Sequence, residues 1–317
     1  DNFSHDKLFE FYALGLGDPF PVSAEHSQGI GDLLDAAVEQ FAEGEDEESD
    51  RLKIALVGKP NAGKSSLTNR ILGFERTIVT DIAGTTRDAI DTPFEFEGEK
   101  YTLIDTAGIR RKKNVTDDVE YYSVVRALDA VRRADVCLLV VDSGEGLTEQ
   151  DVKIIGYVHE QGKPSVIVMN KWDLVEKDTR TVLRFEEKLK EDLKFMDYYK
   201  SVYVSAKTGQ RTEKLLRLAR EVYAHANFRV TTGTLNDLIL DAVRANEPAS
   251  YNGRRLKVYF ATQPSVCPPT FVLSCNDAVL MHFSYKRYLE NVLRRTFDFS
   301  GTPIRILART RGENAET

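Results

Sequence analysis

Four short segments carry residue types and spacings suited to gripping a phosphorylated base. Gly58-Lys59-Pro60-Asn61-Ala62-Gly63-Lys64-Ser65 follows an apolar run and opens a helical pattern from Ser65 to Leu72. Glycines let such a loop curl so that its N–H groups converge on a phosphate, and the helix start adds positive potential. In that setting Lys64 bridges β- and γ-phosphates and the Ser65 hydroxyl binds Mg²⁺. Asp105-Thr106-Ala107-Gly108 stands 41 residues after Lys64, behind another apolar run. Its carboxylate can hold a Mg²⁺ shell through water, and the Gly108 N–H can reach a γ-phosphate with no side chain in the way. Asn170-Lys171-Trp172-Asp173 supplies an Asp able to accept two parallel hydrogen bonds from the N1–H and 2-amino group of guanine, a pattern adenine lacks. Asn170 would tie the base to neighbouring loops, and the Lys171 stem can lie over the ring. Ser205-Ala206-Lys207 offers backbone N–H to guanine's carbonyl oxygen. Four elements in this order predict a guanine-nucleotide site.

Such loops need a sheet to hold them, and the chain predicts one. Arg51–Val57, Tyr101–Ile104, Val136–Val141, Ser165–Met169 and Val202–Val204 read as buried parallel strands. Amphipathic stretches lie between them, the clearest with apolar residues at Val119, Tyr122, Val125, Leu128 and Val131. Strand–helix alternation implies an α/β doubly wound sheet over 51–228. After Phe228 the pattern changes. Leu235, Leu238, Ile239, Ala242 and Val243 share one helix face, followed by strands at Leu256–Ala261 and Phe271–Cys275, a helix over 284–297 and a strand at Pro303–Leu307. Residues 229–317 therefore read as a separate small α+β module.

The front of the chain differs from both. Residues 43–50 (EGEDEESD) carry six acids in eight positions and read as a solvated linker. Residues 1–42 echo the end of the large module: Val22-Ser23-Ala24-Glu25 matches Val204-Ser205-Ala206-Lys207, and Leu33-Leu34 matches Leu215-Leu216 in register. Net charge is −7 for 317 residues, but residues 1–50 hold 14 acids and one base, leaving 36 acids and 42 bases in the remainder. The body is thus mildly basic, at +6, and an anionic partner is compatible with it. Three cysteines without metal-ligand spacing suit a reducing compartment, and the lack of a long apolar stretch predicts no membrane span. The expected setting is cytoplasmic.

With these motifs in hand, residues 51–317 resemble the Der (EngA) family of bacterial tandem GTPases, which assist assembly of the large ribosomal subunit. The resemblance rests on GKPNAGKS, AGTTRD at 83–88, DTAGIRRK at 105–112, NKWD at 170–173 and FSYKRYLEN at 283–291. It implies a P-loop GTPase domain over 51–228, a KH-like domain over 229–317, and a residue 1–42 segment corresponding to the end of a first GTPase domain, without a phosphate loop of its own. It also implies GTP and GDP as ligands, Mg²⁺, docking between GTPase and KH-like domains, and a large-subunit or rRNA partner rather than DNA. Many GTPases place a water-orienting Gln where this chain has Ile109, which cannot hydrogen-bond water. Similar GTPases instead use K⁺ beside the phosphates, with Asn61 as the matching ligand here and the Asp81–Thr86 loop as a second source. Asn61 also fits a plain turn residue. Thr85 and Thr86 compete for a Mg²⁺ position, with Thr86 favoured. Arg110–Lys113 reads either as a solvated loop or as cations facing RNA. The KH-like segment lacks the Gly-x-x-Gly clamp of KH domains. Its Lys286, Arg287, Arg294 and Arg295, and Arg254, Arg255 and Lys257 at a strand start, are either surface charges or rRNA and interdomain contacts. Alternative readings are a nucleotide-gated binding module with little turnover and a K⁺-dependent tRNA-modification GTPase.

Overall fold

The computed structural model describes residue 22 and residues 51–74, 77–79, 91–105, 127–251 and 253–311. The chain divides into two compact units, Asp1–Asp50 and Arg51–Thr317. The expectations for 1–42 and 43–50 lie outside the described residues.

The second unit opens with a seven-stranded sheet in the order β2-β3-β4-β1-β5-β6-β7. Its strands are β1 (Leu52–Val57), β2 (Thr77–Val79), β3 (Thr92–Phe96), β4 (Glu99–Leu103), β5 (Val136–Asp142), β6 (Ser165–Asn170) and β7 (Lys200–Tyr203). The five strands anticipated from the sequence are present and mutually parallel, with β1 between β4 and β5 and with β6 and β7 beyond. β5 is apolar up to Asp142 and β6 from Val166 to Met169 because helices cover both faces, whereas β1 is interrupted at Lys53 and β4 and β7 open on charged residues. Leu52, Ile54 and Leu56 of β1 pack with Leu67, Ile71, Leu215 and Val222 on one side. Ala55 and Val57 pack with Val131, Ile155, Val158 and Leu189 on the other.

The sheet is mixed, with two further strands beyond the five that the sequence announced. β3 runs antiparallel to both β2 and β4. Phe94 and Phe96 alternate inward with half-buried Pro93 and Glu95, and Glu97 and Gly98 at the β3–β4 turn both have positive φ, 55° and 80°. That is the geometry of a tight hairpin turn, in which Gly is favoured.

Helices α1 (Lys64–Leu72), α2 (Glu149–Glu160), α3 (Thr181–Asp192) and α4 (Thr212–Ala226) flank the sheet, with helical backbone also over 127–133. The start of α2 is fixed by a reciprocal cap, in which Thr148 and Asp151 bond each other's backbone N–H.

The C-terminal module has its own core of Leu235, Ile239, Phe271, Leu273, Tyr285, Leu289, Leu293 and Phe299. It comprises α5 (Thr232–Ala245), a ribbon of β8 (Ser250–Tyr251) and β9 (Arg254–Arg255), then β10 (Val258–Ser265), β11 (Thr270–Cys275), α6 (Phe283–Thr296) and β12 (Arg305–Thr310). β10, β11 and β12 form one sheet, antiparallel and then parallel. Several boundaries shift from expectation, with the strand expected over Leu256–Ala261 running Val258–Ser265. Arg254 and Arg255 belong to the separate ribbon, because Asn276 takes the Lys257 N–H at 2.8 Å and β10 starts only at Val258. The last strand begins at Arg305 rather than Pro303.

Candidate functional site

The site assembles at the carboxyl ends of the parallel strands, where such sheets present their loops. Gly58 leaves β1 so close to β5 that a Cβ would stand 2.2 Å from the Val140 carbonyl oxygen. Gly63, with φ +98°, is the last residue before α1, and a Cβ there would stand 2.2 Å from Asn170 Nδ2. The second glycine is therefore demanded by a side chain from a different strand. Asn61 is exposed and has φ 63°, a left-handed conformation that Asn tolerates better than most residues. This turn conformation leaves the side chain outside the core and is compatible with both readings of Asn61.

Asn170 is the hub. It is 1% exposed; its Nδ2 donates to the Ala62 carbonyl at 2.9 Å and its Oδ1 accepts the Ala206 N–H at 3.1 Å. One amide side chain thereby joins the Gly58–Ser65 loop to the Ser205–Lys207 loop. Asp173 accepts from Ser205 Oγ at 2.6 Å, and that bond chiefly holds its carboxyl below the usual range, so it stays ionised. Lys171 has φ 58° and its ammonium lies 2.6 Å from Asp142. Burial opposes ionisation of Asp142, but Lys171, the Gly144 N–H and Lys59 together keep its carboxyl below the ordinary value. Trp172 sits in the core, its ring centroid 4.5 Å from that of Tyr203, and seats the motif on the sheet.

On the phosphate-loop side, Lys64 Nζ donates to the Gly58 carbonyl at 2.5 Å and the Lys59 carbonyl at 2.7 Å. Lys59 is drawn away, pairing with Glu145 at 2.6 Å and Asp151 at 3.5 Å. Burial alone would lower its pKa, yet those two carboxylates raise it above the ordinary value. Pro60 is exposed and Ala62 fully buried. Ser65 lies in the first turn of α1. Asp105 follows β4 with φ 55°, and its N–H donates to Asp91 at 3.0 Å. Thr85, Thr86, Thr106, Ala107, Gly108, Ile109 and Arg110–Lys113 lie outside the described residues.

Two participants escaped the sequence reading. Arg70 of α1 donates to the Ala206 carbonyl at 3.0 Å and the Lys207 carbonyl at 2.7 Å, bracing that loop from below. No motif marks it. Asp142 was legible in principle as a carboxylate closing an apolar strand at the sheet's carboxyl edge. Of the C-terminal cations, Arg294 turns inward: its guanidinium lies 4.1 Å from the Tyr198 ring centroid and 2.8 Å from Glu290. Arg287 bonds the Lys194 carbonyl at 3.5 Å. Both therefore make interdomain contacts, one of the two alternatives the sequence left open. Arg254 and Arg255 pair with Asp277 and Glu247 within the module.

A Mg²⁺ ion fits this donor set. Among the described residues no group of three or more His, Cys, Asp or Glu side chains could hold a metal alone. A hydroxyl at Ser65 and a carboxylate at Asp105, reached from adjacent parallel strands β1 and β4, suit an ion that takes its remaining ligands from phosphate and water.

Comparison with known proteins agrees with this geometry. Residues 53–171 match the family model described as 50S ribosome-binding GTPase, and residues 229–309 match the KH-domain-like C-terminal segment of EngA bacterial GTPase enzymes. GTPase Der of Desulfitobacterium hafniense is 55% identical over 318 residues, which cover 100% of this chain and 72% of that protein. The chain belongs to the Der GTPase family. GTPase Der of Geobacillus kaustophilus is 53% identical over 308 residues, covering 96% of this chain and 71% of the relative. A solved structure of Era with MgGDPNP and nucleotides 1506–1542 of 16S ribosomal RNA aligns with 82% of this chain and 93% of its own, at TM-score 0.43 and 20% identity. As a Der-family chain it is a GTPase, with a P-loop fold, guanine-nucleotide and Mg²⁺ binding, and a C-terminal KH-like domain. Among its described residues no helix is long and apolar enough to cross a membrane.

Proposed function

We propose that Gly58–Ser65, Asp105–Ile109, Asn170–Asp173 and Ser205–Lys207 form one GTP/GDP site whose state governs binding to the large ribosomal subunit. The observation that supports it most is the Asn170 side chain, which fixes the phosphate loop and the Ser205–Lys207 loop to one strand end, beside an ionised Asp173. Asp173 accepts the two N–H donors of guanine. Adenine presents no such pair, so guanine is selected. Lys64, at the start of α1, places positive charge against the β- and γ-phosphates, where a loose phosphoryl-transfer transition state keeps its charge on oxygen. Ser65, Asp105 and Thr86, with Thr85 as the alternative, hold Mg²⁺, which supplies charge neutralisation at the phosphates. Gly108 gives its N–H to the γ-phosphate. Ile109 cannot orient the attacking water by a side-chain hydrogen bond, and Asn61, exposed within the loop, would hold a K⁺ ion supplying positive charge beside the phosphates, as the family resemblance implies.

In this reading 51–228 is the GTPase domain and 229–317 the KH-like domain. Residues 43–50 are an acidic linker, and residues 1–42 correspond to the end of a first GTPase domain. The protein works in the cytoplasm during large-subunit assembly, and its partner is rRNA-rich rather than DNA, consistent with the body's charge of +6. Gradient sedimentation with large ribosomal subunits tests the switch. The chain should comigrate with the subunit in a non-hydrolysable GTP analogue and remain at the top in GDP. Equal migration in both nucleotides contradicts it.

A further inference from the structure

The KH-like domain meets the GTPase domain through a five-residue loop, Asp298–Thr302, inserted at the amino-terminal edge of the parallel sheet. Gly301 N–H donates to the Tyr198 carbonyl at 2.7 Å, just before β7, and the Gly301 carbonyl accepts the Ser165 N–H at 2.8 Å, at the first residue of β6. Thr302, fully buried, donates its hydroxyl to the Val222 carbonyl of α4 at 3.2 Å. Near the end of α4, His225 contacts Ser300 at 3.2 Å. The loop is rigid from behind: Arg294 of α6 donates to the Phe299 and Thr302 carbonyls, each at 3.0 Å, while lying over Tyr198. Gly301 fills the gap completely. It has φ +73°, and a Cβ would stand 2.5 and 2.8 Å from the two Val222 methyl carbons and 3.2 Å from the Ser165 oxygen.

The three elements gripped here share one further property. β6 ends in Asn170 and leads to Asp173; β7 leads to Ser205–Lys207; α4 begins just after that loop. Each thus carries part of the guanine-recognition half of the site at its opposite end, in β6 about 17 Å away along its six residues. No described contact of this loop reaches β1 or α1, which carry the phosphate loop. We infer that the Asp298–Thr302 loop, with Gly301 as its central positioning residue and Arg294 as its brace, sets the spacing of β6, β7 and α4 and so tunes how well the nucleotide site discriminates bases. A packed interior transmits such a displacement because strands and helices move as units. The inference rests on the reading of Asp173 and Ser205–Lys207 as the guanine contacts.

The test compares GDP with inosine diphosphate, which lacks the 2-amino group that Asp173 would accept, on the 317-residue chain. Wild type, Gly301→Ala and Arg294→Met are titrated after circular dichroism confirms folding. Amide hydrogen exchange at Gly301 and Ser165 is followed with and without GDP. Loss of fold weakens both ligands together. A loosened recognition half lowers their ratio, and the expected fall is about fivefold, the lower end of site-to-site couplings. By reciprocity GDP slows exchange at the two amides. If Gly301→Ala does not fold, Arg294→Met carries the comparison, since it keeps most of the side-chain volume. A wild-type ratio in every folded variant, with exchange indifferent to GDP, overturns the coupling. A wild-type chain that binds both nucleotides equally instead removes the guanine-contact reading, and the exchange arm then decides the coupling alone.

Discussion

The two halves of the site are built on opposite plans. On the guanine side nearly every polar group is tied to another protein group: Asn170 to two loops, Asp173 to Ser205, Lys171 to Asp142, and the Ala206 and Lys207 carbonyls to Arg70. On the phosphate side the loop is shaped by glycines, and its lysine bonds only backbone carbonyls of the same loop in the contacts described above. In the proposed site, base recognition rests on side chains tied to one another and to neighbouring loops, and phosphate recognition rests on backbone donors and the Lys64 charge. The tethers made by the Asp298–Thr302 loop fall on the guanine side, at the start of β6, just before β7 and on α4.

Substitutions in each half should therefore fail differently. Lys64→Ala removes the charge at the phosphates without touching the buried network. GTP and GDP affinity should drop at least about a hundredfold, as for loss of a close charge-assisted contact, with little change in Tm. Calorimetric titration and thermal melts on one sample read both. A large fall in Tm would show that Lys64 also holds the loop together. Asn170→Ala attacks the other half. It strands a buried carbonyl at Ala62 and a buried N–H at Ala206, so unfolding free energy should fall by about 2–4 kcal/mol while nucleotide affinity also drops. Denaturant titration with unchanged stability would mean that the hub is not structural. Asn61→Ala should be the mildest. Fold and GDP affinity remain near wild type, and the stimulation of GTP hydrolysis by K⁺ over Na⁺ flattens several-fold. Preserved stimulation would place the ion elsewhere.

The division also explains what could be read from the sequence. β5 and β6 were legible because burial on both faces leaves an unbroken apolar run, and β1 because only Lys53 interrupts one; the phosphate loop and Asn170–Asp173 were legible because they stand at the ends of those strands. β2 and β3 were not. β2 has three residues, and β3 carries Pro93 and Glu95 on its alternate face, so neither gives a run; only the Phe94, Phe96 alternation and the Glu97-Gly98 turn signal it. Helix α5 was legible from its stripe, with Leu235, Ile239 and Ala242 buried as the spacing required. Arg294 shows the limit. On α6 it stands among surface cations, and nothing nearby in sequence announces Tyr198, 96 residues earlier, over which it lies. Arg70 is the same case, since its partners are backbone carbonyls that leave no trace in side-chain pattern.

The central claim is that Asp173, held ionised by Ser205, reads guanine. Asp173→Asn is the direct test, because an amide presents a donor where xanthine presents a carbonyl in place of guanine's amino group. Competition binding with GTP and xanthosine triphosphate on the folded variant should show GTP weakened by about a hundredfold and xanthosine triphosphate bound in preference. A variant that still prefers GTP would contradict the account.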